Sequence, residues 1–122
     1  MNVIVSIGTS TNTQDNILAA KEILSAMFRK VTFSSTMKTK PVNGADNYHY
    51  INCLAMFDTS MSYHQLKLWL KERELDCGRN KEDTNEGYVT LDMDIMEYDG
   101  KRYKKEDWKR DYNRKMLAEL RG

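Results

Sequence analysis

Apolar residues along this chain recur with two different periods, and the switches between them mark the elements. Residues 3–7 form a short β-branched run ending at Gly8, which predicts a first strand. The polar turn Gly8-Thr9-Ser10-Thr11-Asn12-Thr13 follows and offers several helix N-caps. Ile17, Ala20, Leu24, Met27 and Phe28 then fall at helical spacing, so a helix is expected over about residues 14–28. Residues 31–37 read as a second strand. Residues 40–47, with Pro41, Asn43-Gly44 and Asp46, read as loop. A third strand is expected over about residues 48–57, with Ile51, Cys53, Ala55 and Phe57 on one face and Tyr50, Asn52, Leu54 and Met56 on the other.

Ser62 and Gln65 have the spacing of a capping box, and Leu66, Trp69 and Leu70 carry a second helix to about Cys77. Gly78 suits the position just past its end. A polar loop over residues 79–87 leads to the most informative stretch, residues 90–96. There Leu91, Met93 and Ile95 alternate with Asp92 and Asp94, which predicts a strand with an apolar face on the core and two carboxylates on the other side. Asp99-Gly100 is a two-residue hairpin signal. Trp108, Tyr112, Met116 and Leu120 repeat every four residues and predict a last amphipathic helix. The order β-α-β-β-α-β plus a terminal helix is an α+β, ferredoxin-like split βαβ arrangement, with one antiparallel sheet and two helices on one face. Such a fold hosts many functions, so the function has to be argued from the site.

A chain of 122 residues fits a single domain over residues 1–122. With 19 Lys and Arg against 18 Asp and Glu, the net charge of +1 gives no global electrostatic case for nucleic acid or a membrane. Cys53 and Cys77 lack metal-ligand spacing and are expected as buried, reduced thiols of a cytoplasmic protein. The apolar N-terminus is too short for a signal peptide or a membrane span. His49 and His64 stand outside any triad or metal spacing, so structural or surface roles are expected for both. The basic run Lys101-Arg102-Tyr103-Lys104-Lys105, with Lys109, Arg110, Arg114 and Lys115, admits phosphate binding or RNA stacking on Tyr103 and Trp108. Interleaved Glu106, Asp107 and Asp111 favour instead a solvated helix face.

On a strand, the Cα atoms of Asp92 and Asp94 lie about 6–7 Å apart and their side chains can converge. Hard carboxylate oxygens of this kind suit Mg²⁺, which binds through one or two carboxylates plus substrate phosphates. On spacing alone, a half-solvated edge strand with two exposed acids is the plainer reading.

Several segments together resemble the 6-hydroxymethyl-7,8-dihydropterin pyrophosphokinase family of the folate pathway. Ile7-Gly8 is similar to its opening strand and glycine turn, and Ser34-Ser35 with Thr39 and Pro41 to its second strand and following loop. Tyr50-Ile51-Asn52 resembles its aromatic-x-Asn motif, and Glu74 with Gly78-Arg79 its helix end. Leu91-Asp92-Met93-Asp94-Ile95 resembles its most specific motif. The resemblance implies an enzyme that transfers pyrophosphate from ATP to the hydroxymethyl group of a reduced pterin, releasing AMP. It implies catalytic roles for Arg79, Asp92 and Asp94, the two aspartates being Mg²⁺ ligands. It further implies pterin contacts from Tyr50, Asn52 and Thr39, and nucleotide contacts from Arg79 and Arg110. ATP and the pterin would be the partners; the sequence assigns no oligomeric state.

The chain also departs from that pattern. Val89 stands where the family has an arginine, Glu86-Gly87-Tyr88 where it has an aromatic residue and Gly-Pro, and no histidine follows His64. The region matching the family's C-terminal substrate segment is Lys109-Arg110-Asp111-Tyr112, and the sequence ends at Gly122. These departures raise an alternative of a different class: a non-catalytic homologue that keeps the fold and binds a pterin, a nucleotide or a protein partner.

Overall fold

The computed structural model describes residues 1–39, 50–80, 82 and 89–122. The expected loop at residues 40–47, the start of the third strand at 48–49, His49, and residues 81 and 83–87 of the polar loop lie outside the described residues.

The strand with the strongest β-branched character takes the centre. In β1 (Asn2–Thr9), Val3, Ile4, Val5 and Ile7 are all fully buried, which requires a layer on each face. β1 is flanked by antiparallel β4 (Tyr50–Asp58) and β5 (Asp92–Tyr98). β2 (Thr32–Phe33) and β3 (Met37–Thr39) both pair with β4, and β6 (Lys101–Arg102) pairs with β5. The order is β2-β4-β1-β5-β6, with β3 beside β2 on the same edge of β4. Helices α1 (Thr13–Met27) and α2 (Tyr63–Asp76) cover one face. α3 (Lys105–Trp108) and α4 (Asp111–Arg121) pack against the other. This is the expected ferredoxin-like arrangement, extended by a hairpin arm and a third layer.

The alternations hold. Val3, Val5, Ile7, Cys53, Ala55, Phe57, Leu91, Met93 and Ile95 form the core under α1 and α2, whereas Ile4, Leu54 and Met96 meet Trp108, Met116 and Leu120. Ile4 lies opposite Glu97 and Val5 opposite Ile95, so Met96 is an extra residue in the ladder. This bulge turns both Met96 and Glu97 toward α4. Glu97 is buried there and pairs with Arg121 at 2.8 Å and Arg102 at 3.4 Å. The capping box is present, with Ser62 Oγ accepting from the Gln65 amide at 3.2 Å and Gln65 Oε1 accepting from the Ser62 amide at 3.0 Å. Asp99 and Gly100 have φ of 49° and 84°, the geometry of a tight hairpin with two left-handed residues.

Four sequence expectations are corrected. The first strand continues through Gly8 and Thr9, because Gly8 still pairs with Asn52 and Asp92 on either side. The second strand is interrupted at Ser34. Its amide donates to the Leu54 carbonyl at 2.9 Å, but its hydroxyl rather than its carbonyl accepts from the Leu54 amide, also at 2.9 Å. Ser35 therefore leaves the ladder, and its amide and hydroxyl donate to the Glu119 carboxylate at 3.0 and 2.6 Å.

The last helix is likewise two pieces. Arg110 is extended (φ −76°, ψ 135°), while the Trp108 indole donates to the Met96 carbonyl at 3.0 Å and Asn113 Nδ2 donates to the Asp107 carbonyl at 2.7 Å. Cys77 is only half-buried, unlike Cys53, and burial raises the thiol pKa of both. The basic run is a solvated face whose aromatics are already engaged. Tyr103 stacks on Tyr63 with centroids 4.4 Å apart, and Trp108 is buried. His64 is exposed. Among the described residues no helix is long and apolar enough to cross a membrane.

Ser34→Ala should strand the buried Leu54 amide and cost about 1–3 kcal/mol in urea unfolding; a loss below about 0.5 kcal/mol would mean that this hydroxyl does not hold the interrupted edge together.

Candidate active site

The sheet face under α4 is apolar at one end and polar at the other, and the register sets which residues meet at the polar end. Asn52, Gly8 and Asp92 lie opposite one another on β4, β1 and β5, and the next row along is Leu54, Ser6 and Asp94. Tyr50 and Thr39 are register partners one row beyond Asn52. Asn52 Nδ2 donates to Thr39 Oγ1 at 2.6 Å. A Cβ on Gly8 would stand 3.5 Å from both Asn52 Oδ1 and Tyr50 Cδ1, so both side chains lie over its backbone. Tyr50, Asn52, Asp92 and Asp94 remain half-buried.

Among the described residues β5 has a free edge beside these aspartates, because β6 pairs with Glu97 and Tyr98 alone. Buried backbone groups need partners, and the end of α2 supplies them. Glu74 Oε2 accepts from the Met93 amide at 2.8 Å, Lys71 Nζ donates to the Met93 carbonyl at 3.2 Å, and Arg79 Nη1 donates to the Leu91 carbonyl at 3.4 Å. The same groups form an ion network. Glu74 pairs with Lys71 at 2.8 Å and Arg79 at 3.0 Å; Arg79 reaches Asp92 at 2.9 Å; Lys71 reaches Asp94 at 3.2 Å and Asp92 at 3.7 Å. Glu74 is thus a buried organiser of the site, 4% exposed, and not a solvated helix end.

Three carboxylates against two cations leave one negative charge in excess. The excess falls on Asp92, where desolvation and the Asp94 charge outweigh Arg79 and push its pKa up to about 6. For Asp94 burial acts upward too, but the Lys71 ammonium, a hydrogen bond from Asp92 and the Lys104 charge prevail and hold it below the usual carboxylate range. Burial acts to lower the pKa of Lys71 and of Arg79, but their carboxylate partners raise both on balance, so both stay charged.

Asp92 and Asp94 are hard oxygen donors on one face of β5, with the Lys71 ammonium beside both, and this donor set fits Mg²⁺. Among the described residues no group of three or more His, Cys, Asp or Glu gathers to hold a metal alone, so the fit is to an ion that brings phosphate oxygens with it.

Of the residues singled out from sequence, Thr39, Tyr50, Asn52, Arg79, Asp92 and Asp94 come together here. Arg110 stands at the start of α4, where its guanidinium lies 3.6 Å from Asp107, and among the described residues it makes no ion pair with the aspartates. Val89 is buried; its amide donates to Ser10 Oγ at 2.7 Å and its carbonyl accepts from the Ser10 amide at 2.8 Å. Sequence reasoning overlooked Lys71. The available signal was its i,i+3 spacing to Glu74, which puts both on one helix face. A cavity of about 190 Å³ adjoins Lys71 and Asp94, with Lys67 and Lys104 on its walls. A larger one, of about 900 Å³, lies at the other end of β1 around Asn2 and Asp58 and contains none of the site residues.

An antiparallel ferredoxin-like sheet with an aspartate pair, a clamped arginine and an aromatic–asparagine pair in adjoining rows suits transfer of a phosphate-type group to a flat heterocycle. The family model described as 7,8-dihydro-6-hydroxymethylpterin-pyrophosphokinase (HPPK) matches residues 4–121, and the chain belongs to that family. No curated protein matches the chain significantly. Membership sets it among the pyrophosphokinases of folate biosynthesis, which favours the enzyme over the non-catalytic homologue.

A carboxyl whose folded pKa is raised to about 6 stabilises the fold most when protonated, and that contribution is lost as the pH climbs through this value. Asp92→Asn should therefore raise metal-free stability at pH 8 by about 1 kcal/mol, allowing for solvent screening, and by much less at pH 4. Thermal melts at the two pH values check this. Equal shifts at both would show that Arg79 already neutralises the charge.

Proposed function

We propose that this chain transfers pyrophosphate from ATP to the hydroxymethyl group of 6-hydroxymethyl-7,8-dihydropterin, releasing AMP, with Mg²⁺ held by Asp92 and Asp94. The observation that carries this reading is the row Asn52–Gly8–Asp92 across adjacent strands. Two strand spacings separate its ends by about 10 Å. That matches the span from the polar edge of a pterin, past its hydroxymethyl group, to the phosphates. Gly8 keeps the floor between them flat.

Each residue then has a task its chemistry suits. The Tyr50 ring gives the heterocycle a stacking face. Asn52, held by Thr39 through one amide hydrogen, offers an acceptor and a second donor to the pterin edge. Arg79 is fixed through Nη1 by Glu74 and Asp92, which leaves its other donors for phosphate oxygens. Arg110 would reach the nucleotide by leaving Asp107. Mg²⁺ on the aspartates would neutralise phosphate charge and act as Lewis acid. The hydroxymethyl oxygen attacks the β-phosphorus, the bond from that phosphorus to the α-phosphate oxygen breaks, and AMP departs. The expected setting is the cytoplasm.

AMP formation from ATP and the reduced pterin, dependent on Mg²⁺, is the direct test. Asp94→Ala should lower it at least about 100-fold while leaving the fold intact by circular dichroism; unchanged turnover would remove the metal role. Binding of both ligands without AMP release would mean a non-catalytic homologue. Asp92 must lose its proton before both carboxylates take a cation, so Mg²⁺ affinity should hold above about pH 6 and fall below it. Calorimetry in buffers of different ionisation heat would show up to about one proton released per ion near pH 6. A flat profile between pH 5 and 8 would contradict that.

A further inference from the structure

Lys71 occupies an unusual place. Its Nζ lies 2.8 Å from Glu74, 3.2 Å from Asp94 and 3.7 Å from Asp92, and donates to the Met93 carbonyl at 3.2 Å. Among the described residues, the cation nearest Asp94 is thus the ammonium of a helix residue, set against the oxygen atoms that the reading above gives to Mg²⁺. A divalent ion and an ammonium cannot both occupy that space without strong repulsion.

The surroundings let Lys71 leave. Its side chain is 40% exposed on a flexible four-carbon stem, beside the cavity of about 190 Å³. Glu74 would not be stranded, because the Arg79 guanidinium at 3.0 Å and the Met93 amide at 2.8 Å still satisfy it. Lys67 and Lys104 line the same cavity, so an anion lying over Asp94 enters a space already bordered by positive charge. A negatively charged ligand arriving with the metal would give Lys71 a new partner there.

We propose that Lys71 is a tethered counter-ion of the aspartate pair, one that yields its place to a divalent cation and re-pairs with the phosphate oxygens of the nucleotide. This rests on the metal and nucleotide reading of Asp92 and Asp94 above. It makes Lys71 a phosphate-binding residue and makes metal entry and nucleotide entry mutually reinforcing. Metal alone must compete with the lysine. Metal with polyphosphate satisfies it.

The test is Mn²⁺ titration, followed by the electron paramagnetic resonance of the free ion, with and without α,β-methylene-ATP. Lys71→Met should bind Mn²⁺ alone about tenfold tighter than the parent chain and the Mn²⁺–nucleotide complex about tenfold weaker. Lys71→Gln, which can still donate to the Met93 carbonyl, should show the same opposed shifts, and Lys71→Arg should retain the weak binding of metal alone. A merely structural lysine would weaken both ligands together. Unchanged or weaker Mn²⁺ binding in both neutral variants, with parent binding abolished by Asp94→Asn, would overturn the role of Lys71 and leave the aspartates as ligands. No Mn²⁺ binding to any form, even with nucleotide, would overturn the metal reading itself and this inference with it.

Discussion

The Glu74 carboxylate, almost wholly buried, joins the helical layer to the strand that carries the aspartates. One of its oxygens receives the Met93 amide on the outer edge of β5 and the other receives Arg79. A carboxylate in that position carries a heavy desolvation cost unless it is paired and hydrogen-bonded. Arg79 and the Met93 amide satisfy one oxygen each, and Lys71 adds a second cation. The arrangement fixes the height of Arg79 and Lys71 relative to the strand, and hence their distance from Asp92 and Asp94. If Glu74 were removed, an unpaired strand edge and two cations would be left to reorganise together, so the site and the edge of the fold are one structural unit.

The polar and apolar halves of the second sheet face divide along the strands. Ile4, Leu54 and Met96 lie under the terminal helices, where Trp108, Met116 and Leu120 fill the layer. A few residues further along, the same face carries Asn52, Gly8, Asp92 and Asp94. The strands that build a core thus also build the candidate site. The Ser35–Glu119 bonds tie the last helix to the interrupted edge and help to set where the roof stops.

Most of what could be read from sequence was local in origin. The alternation around Asp92 and Asp94, the Ser62–Gln65 cap and the Asp99-Gly100 turn each depend on residues within a few positions, and each appears as expected. What was hidden depends on pairings distant in sequence. The break at Ser34 needs Leu54 twenty residues on, and the place of Lys71 needs Asp94 twenty-three residues on. A four-residue apolar stripe said that residues 108–120 share a face, but not that the chain turns at Arg110. The burial of Glu74 was equally invisible, since a glutamate near a helix end is ordinarily solvated.

The bulge at Met96 has a consequence for how this chain can vary. Upstream of it, the position of each aspartate is locked to β1 residue by residue; downstream, the ladder has already slipped by one. The extra residue therefore works as an expansion joint. Changes of length or sequence in the hairpin arm and the terminal helices can be absorbed there without rotating Asp92 or Asp94 off their face. In this chain everything after the joint, including the part that roofs the sheet, is decoupled in register from the two acidic groups before it.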